Sequence, residues 1–231
     1  MLVYAIRHGE SLHNARREDG LNTPLSPLGI QQAHAVARRF EGLRIAAIYS
    51  SPFFRCVQTA SAVAARLRMP FRIHPSLIEF HHLAPGTEVT LGLEDIETIV
   101  SRHSDAIPCP DYDGPFEWPP PDESIFDLIA RVHSFAATLK ARWDKTDDTV
   151  ILISHGSPIA RLIEAWLSEQ PGPSFRFTID NATVAALRYV DGVSSLVCLN
   201  ETSHLRELPI AEQANYREDG SIKPQPATRY W

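Results

Sequence analysis

Two places in this 231-residue chain set a histidine directly before a glycine at the end of an apolar run. The first is Arg7-His8-Gly9-Glu10 after "LVYAI", and the second is His155-Gly156 after "TVILIS". A buried strand has no use for a cation, an imidazole and a glycine in succession, whereas a reactive rim does. Imidazole titrates near neutrality and serves as a nucleophile or proton carrier. Glycine lets backbone N–H groups come close to a ligand. A third apolar run, "IAAIYSS", leads into "PFFRCVQTA", which puts Arg55 in the first turn of the next helix. Two arginines and two histidines at one spot repel each other unless an anion lies between them. Phosphate fits best, because guanidinium forks match its oxygens two at a time. Singly, each residue also reads as a core histidine or a solvated arginine. Their combination points to phosphoryl chemistry.

These side chains can meet only if the elements that carry them lie side by side. Val3, Tyr4 and Ile6 favour a first strand. Ser26 caps the following helix, with Pro27 in its first turn and Ile30, Ala33, Val36, Ala37 and Phe40 at helical spacing until Gly42. "IAAIYSS" is a second strand, after which Pro52 opens a helix with Phe54, Val57, Ala60, Ala64 and Leu67 on one face. "PFRIHPSLIEF" holds a third strand and its exit, and a short helix is expected around Glu94–His103. Asp122 is expected to cap a long helix through Ile125, Leu128, Val132, Phe135, Leu139 and Trp143. "TVILIS" is the clearest buried strand, followed by a helix opened by Ser157-Pro158. "ATVAALRYV" and "SLVCL" form a hairpin turned by Asp191-Gly192.

Strand and helix alternate, which predicts parallel pairs with helices on both faces. The expected fold is a three-layer α/β/α sandwich with a mostly parallel mixed sheet and an insertion over the C-terminal strand edge. Ligands in such sheets lie beyond the carboxyl ends of the strands, so parallel neighbours would bring His8 and His155 to one rim. Residues 1–208 read as one domain, with the proline-rich stretch 81–121 as an insertion over the active site. Residues 209–231 are polar and unpatterned and read as a C-terminal surface tail.

Composition narrows the partners. The chain is 44% hydrophobic and 22% charged, as ordinary globular proteins are, and its net charge of −6 gives no reason to expect nucleic acid or an anionic membrane. No apolar run reaches the ~20 residues of a membrane span. The N-terminal apolar segment is too short for a secretory signal. Cys56, Cys109 and Cys198 are scattered and suggest neither a disulfide framework nor a zinc site. His81 and His82 are adjacent on an extended segment and point to opposite faces, which disfavours a shared metal; with His74 and His103 they read as surface groups. The expectation is a cytoplasmic protein, with the nucleus also open, that binds no metal and no cofactor.

The ordered set "IRHGESLHN", "TPLSPLGIQQA", "SSPFFRCVQTA", "SLIEF", "PDESIFDLIARV" and "VILISHGSPIARLI" resembles the histidine phosphatase superfamily, with its phosphoglycerate-mutase-like fold and phosphohistidine intermediate. "NATVAALRY" and "LNETSHL" extend the likeness to residue 205. Within that family, "SLIEF" and "SSPFFRCVQTA" are most similar to the Sts-type and ecdysteroid-phosphate phosphatases. The resemblance implies that His8 is the nucleophile, with Arg7, Arg55 and His155 on the oxygens of the transferring phosphoryl group. A neutral His8 needs a hydrogen bond on its other ring nitrogen, and the Gly9 carbonyl is a candidate acceptor. The resemblance also places Gly9, Gly156, Asn14 and Thr23 against substrate, although Asn14 and Thr23 read equally well as loop residues.

Protonation of the leaving group and activation of water need a carboxyl group that acts in turn as acid and base. Glu79 matches the family's acid, while Glu88, Glu10 and Glu123 compete on the sequence alone. Family mutases carry a Leu-Asn-Glu-Arg-His-Tyr-Gly-like stretch there and a pair of adjacent arginines in the insertion. This chain has "LIEFHHLAPG", with Arg102 as the nearby basic residue. Hydrolysis is therefore expected over mutase-type transfer: a metal-independent phosphoric monoester hydrolase of the histidine acid type. Its substrate would be a phosphorylated small molecule or phosphoprotein, and a homodimer is compatible with the sequence. A weakly active interaction module on the same fold is the other reading. Phe80, Phe116 and Trp118 could wall an aromatic pocket, but packing is the favoured reading for them.

Overall fold

Period-two alternation decides which way each strand faces. In the computed structural model, β1 (Leu2–Arg7) turns Val3 and Ala5 to one side of the sheet and Tyr4 and Ile6 to the other. β2 (Ala47–Ser50) and β5 (Thr149–Ser154) follow the same rule, with Tyr49 and Leu152 on the first side and Ile48, Ile151 and Ile153 on the second. Strands buried on both faces need a helical layer on each. Helices α1 (Pro27–Arg39) and α2 (Phe54–Leu67) cover the Ile side, joined by the short α3 (Ile96–Arg102). Helices α4 (Ile125–Trp143) and α5 (Gly156–Leu167) cover the other. The structure describes residues 1–81, 91–112, 118–120, 122–143, 146–168 and 177–208.

Among the described residues the sheet has seven strands, adding β3 (Phe71–Ile73), β4 (Ala106–Pro108), β6 (Val184–Val190) and β7 (Val193–Glu201), in the order β4-β3-β2-β5-β1-β6-β7. The first five in that order are mutually parallel, and β6 and β7 are antiparallel to their neighbours. This is the mostly parallel α/β/α sandwich expected from the alternation. The hairpin turns at Asp191 and Gly192, both at positive φ (50° and 79°) as a type I′ turn requires.

Four local expectations change. Strand β4 lies inside the proline-rich stretch 81–121, where no strand is expected; it is three residues long and ends on Pro108, which an edge position tolerates. The cap of α4 is Ser124 rather than Asp122: Ser124 Oγ accepts from Asp127 N–H (3.2 Å), and Asp127 Oδ2 accepts from Ser124 N–H (2.9 Å). Ile30 is 45% exposed, because Leu28, Gln32, Ala33, Val36 and Ala37 form the buried face of α1. His74 is buried, its Nδ1 accepting from Ser76 N–H (3.1 Å) and its ring packed on Phe135 and Tyr112. Phe80 is buried in the core cluster that includes Leu77, as expected for packing. Trp118 packs beside Phe53 and donates to the Glu94 carbonyl. His82, Glu88, Phe116 and the tail 209–231 lie outside the described residues.

Candidate active site

The parallel register of β1 and β5 runs from Leu2 opposite Thr149 to Arg7 opposite Ser154. The next residue on each strand is a histidine, so His8 and His155 leave the sheet side by side. Their rings stand 5.0 Å apart at 65°. His8 N–H still donates to the Ser154 carbonyl (3.0 Å), and at the exit of β2 Ser51 N–H donates to the Ile153 carbonyl (3.0 Å). Helix α2 starts four residues after β2, and Arg55 in its first turn reaches over this rim. Its guanidinium lies 4.4 Å from the centre of the Phe53 ring.

Arginine only donates, and that fixes both tautomers. Arg55 Nε donates to His8 Nε2 (3.1 Å), so the His8 proton sits on Nδ1 and is given to the Gly9 carbonyl (2.6 Å). A second Arg55 nitrogen donates to His155 Nδ1 (3.2 Å), so His155 carries its proton on Nε2 and gives it to Ser51 Oγ (2.9 Å). The third guanidinium nitrogen donates to the Leu21 carbonyl (2.6 Å). Burial, then Arg55 and Arg7, holds the His8 pKa well below its usual value, against the opposing Gly9 bond. Burial and then Arg55, with His8, His81 and Arg7 after it, does the same to His155. Both rings are neutral at pH 7, and His8 presents an unprotonated Nε2 toward Arg55. Cys56 lies 3.4 Å from His155 Nε2, but burial first pushes its thiol up to about 12, so it is inert.

A loop before β6 braces the strand end. The Ile179 carbonyl accepts from Arg7 (2.5 Å), and Ala182 N–H is shared between the carbonyls of Arg7 (3.0 Å) and His8 (3.1 Å). Asn181 Nδ2 donates to the His8 carbonyl and to Asn14 Oδ1, both at 3.1 Å. Asn14 thus lies beside the rim, with Oδ1 also accepting from Ser11 N–H (3.3 Å). Thr23 is buried, and its hydroxyl accepts from His13 N–H (3.2 Å). Gly156 opens α5 at the same rim, where an added Cβ would meet an Arg7 terminal nitrogen at 3.9 Å.

Gly9 is different. A Cβ there would stand 2.5 Å from the Gly29 carbonyl oxygen, and one on Gly29 only 1.9 Å from that of Glu10. The two glycines let the loop after β1 lie directly on the first turn of α1. Glu10, a rival acid, is used up in this contact: its Oε1 accepts from Ser26 Oγ (2.6 Å) and its N–H donates to Gln32 Oε1 (2.7 Å). Thr59 of α2 accepts from Gly9 N–H (3.3 Å).

Glu123, another rival, forms a two-point ion pair with Arg131 of α4 (2.9 and 2.5 Å). Arg131 also donates to the carbonyls of Ser76 (2.7 Å) and Ile78 (2.8 Å), while Ser154 Oγ donates to that of Leu77 (2.7 Å). The segment leading to Glu79 is therefore held from α4 and from β5. The half-buried Glu79 carboxylate lies within electrostatic reach of Arg55, whose charged form it favours. Arg102 pairs with Glu94 at the exposed end of α3. Sequence reasoning missed Ser51, Thr59, Arg131 and Asn181. All four lie inside or next to motifs it quoted, but their partners are distant in the chain. Among the described residues, no three of His, Cys, Asp or Glu gather as a metal site, and no helix is long and apolar enough to cross a membrane.

Comparison with known proteins agrees with this geometry. The model of the histidine phosphatase superfamily (branch 1) matches residues 3–202. A probable phosphoglycerate mutase, GpmB, of Yersinia pestis is 40% identical over 193 residues, covering 81% of this chain and 84% of its own length. A putative phosphoserine phosphatase of Hydrogenobacter thermophilus is 24% identical over 212 residues, covering 89% and 98%. Among solved structures, the phosphoserine phosphatase of Entamoeba histolytica with 3-phosphoglyceric acid has a TM-score of 0.60 at 25% identity over 88% of this chain and 98% of that one. A mycobacterial glucosyl-3-phosphoglycerate phosphatase with VO3 has 0.63 at 26%, covering 87% and 98%. The ecdysone phosphate phosphatase from Bombix mori, at 19% identity, TM-score 0.63 and coverage of 85% and 92%, shares the fold. The chain belongs to the histidine phosphatase superfamily, and it is a phosphatase-type enzyme whose chemistry runs through a phosphohistidine.

Proposed function

We propose that this chain hydrolyses a small phosphate monoester through a phosphohistidine on Nε2 of His8, without a metal ion. The observation that carries this reading is the pair of bonds on the His8 ring. Nδ1–H is committed to Gly9 and Nε2 is left as a lone pair facing Arg55. In a loose phosphoryl transition state the protein mainly positions groups and stabilises charge. Arg7, Arg55 and His155 supply that charge. Arriving phosphoryl oxygens replace the histidines as acceptors for Arg55. His155 then takes up a solvent proton on Nδ1 and donates it in a hydrogen bond to the phosphoryl group, while Nε2–H stays on Ser51. Gly9 and Gly156 backbone N–H groups, with Asn14 and Thr23, border the same site.

In the first step the His8 Nε2 lone pair forms the P–N bond, the P–O bond to the alcohol breaks, and Glu79 gives its proton to the leaving oxygen. In the second, Glu79 takes a proton from water, the water oxygen attacks phosphorus, and the P–N bond breaks. Inorganic phosphate leaves, and the proton taken from water leaves Glu79 protonated for the next cycle. The likeness to a probable phosphoglycerate mutase favours a second reading, transfer between positions of a phosphoglycerate. Against it, Arg102 is paired with Glu94 at the exposed end of α3. The carbon skeletons named for the relatives, phosphoserine and 3-phosphoglyceric acid, support a small phosphorylated hydroxy acid as substrate here. The test is incubation with p-nitrophenyl phosphate and with 3-phosphoglycerate, with and without chelator. Phosphate release unaffected by chelator is expected; loss in chelator, or isomerised product without phosphate release, contradicts it.

A further inference from the structure

The stretch "LNETSHL" has no part in the steps above, yet it holds the loop that braces His8. Alternate residues of that loop, 178–182, have partners on opposite sides. Ile179 and Asn181 meet the catalytic strand end: the Ile179 carbonyl accepts from Arg7 (2.5 Å), and Asn181 Nδ2 donates to the His8 carbonyl (3.1 Å). Thr178, Asp180 and Ala182 meet the end of β7 and the short 3-10 turn Ser203–Leu205 that follows it. Asn200 Nδ2 donates to the Thr178 carbonyl (2.7 Å), and Asn200 Oδ1 accepts from Asp180 N–H (3.1 Å). The Ala182 carbonyl lies 2.8 Å from His204 Nε2. A carbonyl only accepts, so His204 carries its proton on that nitrogen and donates it.

Ala182 is the joint between the two sides. It is fully buried at a φ of 57°, a left-handed conformation that a Cβ disfavours. Such a residue persists only where its surroundings over-determine it. On the inner side its N–H is shared between the carbonyls of Arg7 and His8; on the outer side stands the His204 ring. That ring is itself confined. Its side chain is 4% exposed, and its Nδ1 lies 3.8 Å from Glu201, which accepts from Arg39 Nε at the end of α1 (2.7 Å). Of the four groups assigned to phosphoryl transfer, Arg7 and His8 depend on this loop. Arg55 and His155 have separate supports in the Leu21 carbonyl and Ser51.

We propose that Asn200 and His204 are positioning residues for the nucleophile: they fix the loop at 178, 180 and 182, and through it the placement of Arg7 and His8. The proposal rests on the phosphatase reading, whose nucleophile it supports. Because Arg55 and His155 keep their own supports, loosening the loop spares substrate binding and slows the attack. A displacement near 1 Å at the reacting atoms lowers the rate about a hundredfold.

The test compares His204→Phe, His204→Gln and Asn200→Gly with the wild type on the intact chain, each below its own Tm. His204→Phe keeps a ring without a donor, and His204→Gln returns a donor near the place of Nε2. Asn200 has a φ of 51°, so Asn200→Gly removes the amide group from a backbone that glycine adopts readily. With p-nitrophenyl phosphate, kcat is expected to fall about ten- to hundredfold in His204→Phe and Asn200→Gly, with KM within about threefold of wild type. His204→Gln recovers most of the kcat. A variant that loses stability but not kcat, a loss carried by KM, or equal kcat losses in His204→Phe and His204→Gln overturns the proposal. Amide hydrogen exchange reads the loop without turnover. The Ala182 N–H should exchange at least about tenfold faster in His204→Phe and Asn200→Gly, while the Ala5 and Leu152 amides of the sheet keep their wild-type rates. Unchanged exchange at Ala182, or faster exchange across the whole sheet, overturns the proposal. A failure of the phosphatase reading is seen separately, as absence of phosphohistidine in the wild type, and leaves the exchange comparison to decide whether the loop is held from Asn200 and His204.

Discussion

Replacing Gly29 with alanine adds one methyl group at the contact that seats the loop after β1 on α1. That carbon would stand 1.9 Å from the Glu10 carbonyl oxygen and 2.8 Å from its carbon, where ordinary contact begins at 3.4 Å. The obstacle is backbone, so no side-chain rotation relieves it. The loop and the helix must separate by about 1.5 Å. Three bonds span that gap: Ser26 N–H to the Glu10 carbonyl (2.8 Å), Ser26 Oγ to Glu10 Oε1 (2.6 Å) and Glu10 N–H to Gln32 (2.7 Å). Overpacking costs about 1–3 kcal/mol and each weakened buried bond about 1 kcal/mol more. A total of about 4–6 kcal/mol lowers the Tm of a chain this size by roughly 8–24 °C. His8 lies two residues from Glu10, and a displacement near 1 Å costs about a hundredfold in rate. Calorimetry and p-nitrophenyl phosphate kinetics on Gly29→Ala read both effects. Gly156→Ala is the comparison, since its Cβ meets Arg7 at 3.9 Å and its Tm should move by less than about 2 °C. A Gly29→Ala protein with wild-type Tm and rate, or two variants equally destabilised, refutes the packing argument.

Ser51→Ala removes the acceptor of the His155 Nε2 proton and should lower kcat about ten- to hundredfold, with Ser51→Thr recovering most of it; an unchanged kcat in Ser51→Ala would contradict this. Arg131→Met leaves Glu123 buried and unpaired, at a cost of about 3–5 kcal/mol. Arg131→Met with Glu123→Gln should regain much of that stability but not the rate, because the Ser76 and Ile78 carbonyls still lose their donor. Full recovery of rate in the double variant would remove Arg131 from the support of Glu79. Stability should also fall in acid: His74, buried, has its folded pKa lowered from 6.5 to about 4, so its contribution is complete above pH 6.5 and fades as the pH falls toward 4. The shift corresponds to about 3 kcal/mol. A Tm that holds steady or rises between those pH values contradicts the burial account.

Much of the rim was legible because its parts are strand ends. A period-two apolar run stops where the chain leaves the core, so Arg7, His8 and His155 could be placed at one edge once parallel pairing was granted. Arg55 followed from the helix start. What stayed hidden depends on three-dimensional neighbours. Ser51 acquires a role only because His155 comes to lie beside it, 104 residues away in sequence. Arg131 read as one more helix residue until its reach to Ser76 and Ile78 was visible. His74 was misjudged because a histidine carries no sign of burial in its own sequence, and here Tyr49, Tyr112 and Phe135 converge on it. Strand β4 was missed for a related reason. Its three residues have no alternation to detect, and its pairing with β3 is what makes it a strand.

The most direct test of the account is rapid quenching of the enzyme during turnover of a phosphomonoester, followed by mass spectrometry of the His8 peptide. One phosphoryl group per chain on His8, acid-labile and absent in His8→Ala, is the predicted result. Steady hydrolysis by His8→Ala, or phosphate trapped on another residue, would contradict it.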